Sequence, residues 1–169
     1  MPYQNYRKNY KKNYGQKKKW ASMMKDIPLS NVVIDPHATG GSYITMVANS
    51  AETAVPTPTI LKVKHAKLSL DFVFDATVLN NGFCCFLYVP QGVNINPGLP
   101  VLHPEWIMAW RNIPNDVRST HHQVMLSSSL SRNLNSGDSI VMLFSFYNNA
   151  ASPTTAAVSA RYSCVVRNN

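Results

Sequence analysis

Between residues 66 and 78 the apolar residues fall on every second position, and this alternation restricts the fold more than any other feature of the chain. Ala66, Leu68, Leu70, Phe72, Phe74, Ala76 and Val78 alternate with Lys67, Ser69, Asp71, Val73, Asp75 and Thr77. Successive side chains of a strand point to opposite faces, so the segment reads as one long strand with a buried and a wetter face. Just upstream, Ile60, Lys62 and Lys64 share the parity of the apolar set. The face is therefore expected to switch near His65, as a β-bulge would make it do. Ile140–Tyr147 and Ala156–Arg167 repeat the alternation, the first with apolar residues on both sides. Gly82–Val89 is shorter and almost wholly apolar, and Ser42–Ala48 and Gln123–Ser131 are weaker strands.

Turn residues separate these runs at Asp35-Pro36, Gly40-Gly41, Pro56 and Pro58, Asn80–Gly82, Asn96–Gly98, Asn135–Asp138 and Asn148–Pro153. One short helix is expected over Glu105–Arg111, opened by Pro104. Trp106 and Trp110 would share its face. They would either plug the mouth of the core or anchor a subunit contact, since Trp is enriched at binding hot spots. Six to eight antiparallel strands with long connections imply an all-β fold, a two-sheet sandwich or jelly roll.

The charge is distributed unevenly. The net charge is +8, yet only 14% of the 169 residues are charged. Arg7, Lys8, Lys11, Lys12, Lys17, Lys18, Lys19 and Lys25 lie in residues 1–25 without a single acid. Residues 26–169 carry the other eight cations and all eight acids, so the body is neutral. Tyr3, Tyr6, Tyr10, Tyr14 and Trp20 are interleaved with the cations of the arm. Such a segment buries too little to offset its ordering entropy, so residues 1–25 are expected to be disordered when free. Extended, they would reach at most about 80–90 Å. Cations suit a polyanion, and rings stack on bases at roughly 1–3 kcal/mol each. KKNYGQKKK also passes for a nuclear import signal, a compatible second role. Residues 26–41 are expected to be a linker and residues 42–169 the folded domain.

Other chemistry is sparse. No apolar stretch long enough for a membrane span occurs, and none follows the N-terminal charges as a secretory signal would require. Cys84, Cys85 and Cys164 are odd in number and suit buried free thiols. No phosphate loop and no nucleophile elbow is present, and His121-His122, adjacent on a strand, would point to opposite faces. No catalysis, metal or cofactor is expected.

A basic arm ahead of a neutral all-β body is the layout of small icosahedral capsid proteins. The stretches FLYVPQGVNINPG and SRNLNSGDSIVMLFS resemble segments of capsid proteins of circular, Rep-encoding single-stranded DNA viruses, circovirus-like in the broad sense. The arm departs from that family in being rich in Lys and Tyr where arginine dominates, which leaves a satellite-type RNA virus open. The resemblance implies a single jelly roll of two four-stranded sheets that self-assembles as about 60 symmetric copies. It also implies packaging of single-stranded DNA by the arm, virion localisation, and passage through the host nucleus with import factors as partners. Lys62, Lys64 and Lys67 would either continue the positive path onto the shell's inner wall or simply solvate a strand entry. The competing reading is a monomeric β-barrel nucleic-acid-binding module, which would carry basic and aromatic residues on one sheet face.

Overall fold

The computed structural model describes residues 20–50 and 60–168. Among them, nine strands run in the order β1 (Ala21–Ile34), β2 (Thr39–Ala48), β3 (Leu61–Val73), β4 (Leu79–Val89), β5 (Ile107–Asn112), β6 (His121–Ser128), β7 (Arg132–Leu134), β8 (Ser139–Asn148) and β9 (Thr154–Asn168). One helical turn, α1 (Leu99–Leu102), and a 3₁₀ turn at Pro104–Trp106 lie between β4 and β5. One sheet has the order β1-β9-β3-β6, with the short β7 also paired to β3; the other has the order β2-β8-β4-β5. Every pairing is antiparallel. Strands from the two ends of the chain thus interleave in both sheets, which is the jelly roll.

The alternating residues fill the space between the sheets. Leu68, Leu70 and Phe72 of β3 meet Met142, Phe144 and Phe146 of β8, all of them buried. Phe72 packs edge-on against Phe144 and Phe146, with centroids 5.5 and 5.6 Å away. The sheet β2-β8-β4-β5 is apolar on its outer face too. There Cys85, Leu87, Val89, Val141 and Leu143 form a second cluster, covered by Val93, Ile95, Leu99 and Trp106 from the β4–β5 connection. This double burial explains the unbroken apolar run at residues 83–89. It also sends Cys84 into the main core and its neighbour Cys85 into the second cluster.

All three cysteines are free and buried. Burial pushes the Cys84 and Cys85 thiols up to about 12 and raises Cys164 as well. The thiolate is the reactive form. A thiol reagent near neutral pH is therefore expected to modify none of the three in the native protein and all three after denaturation.

The two sheets are tied by a polar contact at their β1/β2 side. The fully buried Tyr162 of β9 donates its hydroxyl to the Met46 carbonyl of β2, and burial raises the phenol's pKa. Tyr162→Phe leaves that carbonyl unpaired and is expected to cost about 1–3 kcal/mol. A lowered urea midpoint at unchanged slope would show it.

Four expectations need correction. Strand β1 occupies residues 21–34, assigned from sequence to the arm's end and to a linker, so the domain begins near residue 21 and not at 42. Its alternation is diluted because β1 is an edge strand: Met23, Ile27 and Val32 follow the inward register opposite Cys164, Ala160 and Ala156, but so does Lys25, and Pro28 sits at a register shift. The strand expected over residues 66–78 starts earlier and ends at Val73. There Asp75 accepts hydrogen bonds from the Thr77 amide (2.9 Å) and hydroxyl (2.6 Å), which turns the chain and holds the Asp75 carboxyl below its ordinary pKa. The helix expected at Glu105–Arg111 is instead the 3₁₀ turn followed by β5, which pairs with β4. Trp106 joins the outer cluster and Trp110 stacks half-exposed on Phe83 at 4.2 Å, so neither indole plugs the mouth of the main core. Finally, neither of two expected turns forms: Asn80–Gly82 is an irregularity within β4, with Asn81 at φ 49°, and Gly40-Gly41 lies inside β2, paired with Phe146 and Ser145.

Candidate nucleic-acid interface

The outer face of β1-β9-β3-β6 takes its charge from a single extra residue in β3. The register against β9 shifts between Lys64 and Lys67, and His65 adopts φ 53°. Val63 and Ala66, of opposite parity, consequently both point inward and are buried. Lys62, Lys64 and Lys67 in turn all face outward, where an unbroken strand would have buried one parity of them. None of the three is in an ion pair among the described residues.

Neighbouring strands add to this set. Lys62 stands opposite Arg167 of β9. Trp20, the first described residue, lies under both Lys64 and Arg167, whose charged groups are 4.0 and 4.9 Å from ring centroids. Such cation–π contacts contribute about 0.5–1 kcal/mol at exposed sites. They fix where residues 1–19 join the body: at the basic end of this sheet face. Lys62 also lines a groove with Tyr88, Ser131, Arg132 and Asn133, so the positive surface turns the corner toward β7.

Farther along the face the side chains fall in two cross-strand rows. Met24, Ser163, Lys67 and Ser127 form one; Asp26, Arg161, Ser69 and Met125 form the next. The three serines make a trough between the two methionines, with a volume of about 470 Å³. Arg111, from the edge strand β5 of the other sheet, reaches its rim and donates from Nη1 to the Met125 carbonyl at 3.0 Å. Arg161 is paired with Asp26, its Nε 2.6 Å from Oδ1. Beyond that pair the adjoining groove is lined by Asp26, Asp71, Gln123 and Ser159 and turns acidic.

Of the residues singled out from sequence, the structure gathers Trp20, Lys62, Lys64 and Lys67. Lys25 is exposed on β1 but has the other parity, opposite Tyr162, and does not join them. Arg7, Lys8, Lys11, Lys12, Lys17, Lys18, Lys19, Tyr3, Tyr6, Tyr10 and Tyr14 lie outside the described residues. Sequence reasoning missed Arg111, Arg161 and Arg167 as members of the face. For the last two a signal existed, because both occupy the outward parity of the final strand.

The two adjacent histidines face opposite ways, as their place on a strand predicts. His121 is exposed, while His122 is buried and stacked on Phe74 at 4.3 Å. Among the described residues no three His, Cys, Asp or Glu side chains gather to hold a metal, and no helix is long and apolar enough to cross a membrane. No family model matches the sequence, and no curated protein does. The chain is similar to a solved chain of Desmodium yellow mottle tymovirus, at 13% sequence identity, 90% coverage of both chains and a TM-score of 0.44.

Proposed function

We propose that the protein is a viral capsid protein. Its jelly roll self-assembles into a small icosahedral shell, and its basic N-terminal arm packages single-stranded DNA. The observation that carries this reading is the joining of the arm to the body at Trp20, on the sheet face where Lys62, Lys64, Lys67 and Arg167 converge. The cations that precede Trp20 in sequence thus lead directly into those of the face. The interior is filled by aromatic and aliphatic side chains, so the surfaces are what remains for function. A rigid domain with one basic side suits a closed shell, because symmetric copies reuse one set of contacts and can turn that side toward a common interior. Phosphate contacts alone do not select the sugar, and DNA is favoured over RNA by the sequence resemblance only.

The basic sheet face with an aromatic residue also favours a second reading, the monomeric nucleic-acid-binding module. Negative-stain microscopy and light scattering of the purified protein separate the two. Uniform closed shells support the capsid, whereas a particle of one 18.8 kDa chain leaves only the module. Digestion of the released nucleic acid with DNase and RNase identifies the genome. With Lys62, Lys64 and Lys67 all replaced by Gln, shells are expected to form but to carry less nucleic acid, read from the ratio of absorbance at 260 and 280 nm. Unchanged packaging would assign the three lysines to mere solvation of the strand.

A further inference from the structure

We infer that the serine-floored trough between Met24 and Met125 is a binding site for a short segment of the single-stranded nucleic acid itself. This rests on the reading above that the protein binds such a strand, and it adds where on the body the strand lies. The trough is within the range of about 300–1,000 Å³ usual for ligand pockets. Its two methionines are on the outermost strands, three inter-strand spacings across and two residues along, or about 16 Å apart, which suits a run of chain better than a single ring.

The lining matches the two halves of a nucleotide. Met24 and Met125 are 71% and 65% exposed, an unusual position for large apolar side chains with nothing above them. A thioether is flexible and polarizable and packs well on aromatic rings, so it accepts any base. Ser69, Ser127 and Ser163 offer hydroxyls at the floor for base edges or sugars. Lys67 rises from the central strand β3 between Ser127 and Ser163, and Arg111 stands at the rim, both for phosphates, while Arg161 is paired with Asp26. Asp26 and Asp71 then repel a polyanion, so the track ends at the Asp26–Arg161 pair. At its other end it begins beside Lys64 and Trp20, where the arm joins the body. The same cations repel the protein's own basic arm, which excludes it as the occupant.

The test uses the full chain and a fluorescein-labelled oligothymidylate of about ten nucleotides, within the site sizes usual for single-strand binders. Binding is followed by fluorescence anisotropy across a salt series. Met24→Ser with Met125→Ser is expected to weaken binding at least about fivefold at every salt concentration, because stacking is not screened. Arg111→Gln is expected to lower the slope of log affinity against log salt by about 0.7, one phosphate contact. Photocrosslinking with 5-iodouracil oligonucleotide should yield adducts at Met24 or Met125. Thermal melts of each variant confirm that it is folded. Wild-type affinity in both variants, with adducts confined to residues 1–19, overturns the trough while leaving the nucleic-acid reading intact. No binding by the unaltered protein overturns both. Retained binding with lost self-association in the methionine variant assigns the trough to a second copy of the chain.

Discussion

Removal of residues 1–19 is expected to strip the protein of most co-purifying nucleic acid while leaving its melting temperature unchanged, and removal of residues 1–34 to unfold it. The first deletion takes seven of the sixteen cations, Arg7, Lys8, Lys11, Lys12, Lys17, Lys18 and Lys19, and stops short of β1. Seven phosphate contacts to a single strand carry a salt slope of about −5, so their loss should lower affinity by about a thousandfold at moderate ionic strength. The second deletion removes β1 as well. It uncovers the whole edge of β9 and withdraws Ile34, a buried core residue whose carbonyl accepts a 2.9 Å bond from Asn148 Nδ2. Absorbance ratios and thermal melts read the two outcomes. Full nucleic-acid content after the first deletion would assign packaging to the body. A folded protein after the second would show that β1 is dispensable to the jelly roll.

Gly41→Val is expected to abolish folding, while Gly92→Ala costs only about 1–2 kcal/mol, the penalty for a left-handed backbone. A Cβ at Gly41 would lie 2.0 Å from the Phe144 carbonyl oxygen and 2.8 Å from the Ser145 Cα. Both are backbone atoms of the central strand β8, to which Gly41 is paired at Ser145. Neither strand can retreat without parting the sheet, so a cost of about 4 kcal/mol or more is expected against a total stability of about 5–15. Gly92, in contrast, has φ 81° and nothing within 4 Å of a Cβ. Soluble yield and urea midpoints of the two variants check the pair. A Gly41→Val protein within about 1 kcal/mol of the parent would mean that β2 does not hold this register.

The jelly roll was legible where burial is one-sided and strong. The alternation in β3 and β9 marks the core, and the parity conflict at Lys62 and Lys64 by itself places the bulge at His65. Where burial is weak, periodicity fades: β1 has one partner strand, and its inward register admits Lys25. The segment EWIMAWR misleads for another reason. Residues four apart share a face in a helix and in a strand alike, and the run is too short for the two periods to diverge. Only the pairing of β5 with β4 decides it. The lysines of β3 could be grouped because they are neighbours in sequence. Arg111 could not, because its place beside Met125 follows from the way the β5 and β6 edges of the two sheets meet.

The pairing of β1 with β9 also sets a clock on the chain's biogenesis. Ala21 finds its partner at Val166, so the first strand to be synthesised must wait for the last. Contacts this distant in sequence make folding slow, since loop closure is paid before it is rewarded. Through that interval β1 and residues 1–19 are already outside the ribosome, with the strand's backbone groups bonded only to water and the cations of residues 1–19 uncovered. The seven cations of residues 1–19 repel one another from chain to chain and keep unfinished proteins apart during the wait, and a polyanion that neutralised them early would draw them together. The yield of native protein from refolding should therefore fall when short single strands are present from the start, and recover when they are added after folding. The arm's charge would then serve first as a folding aid.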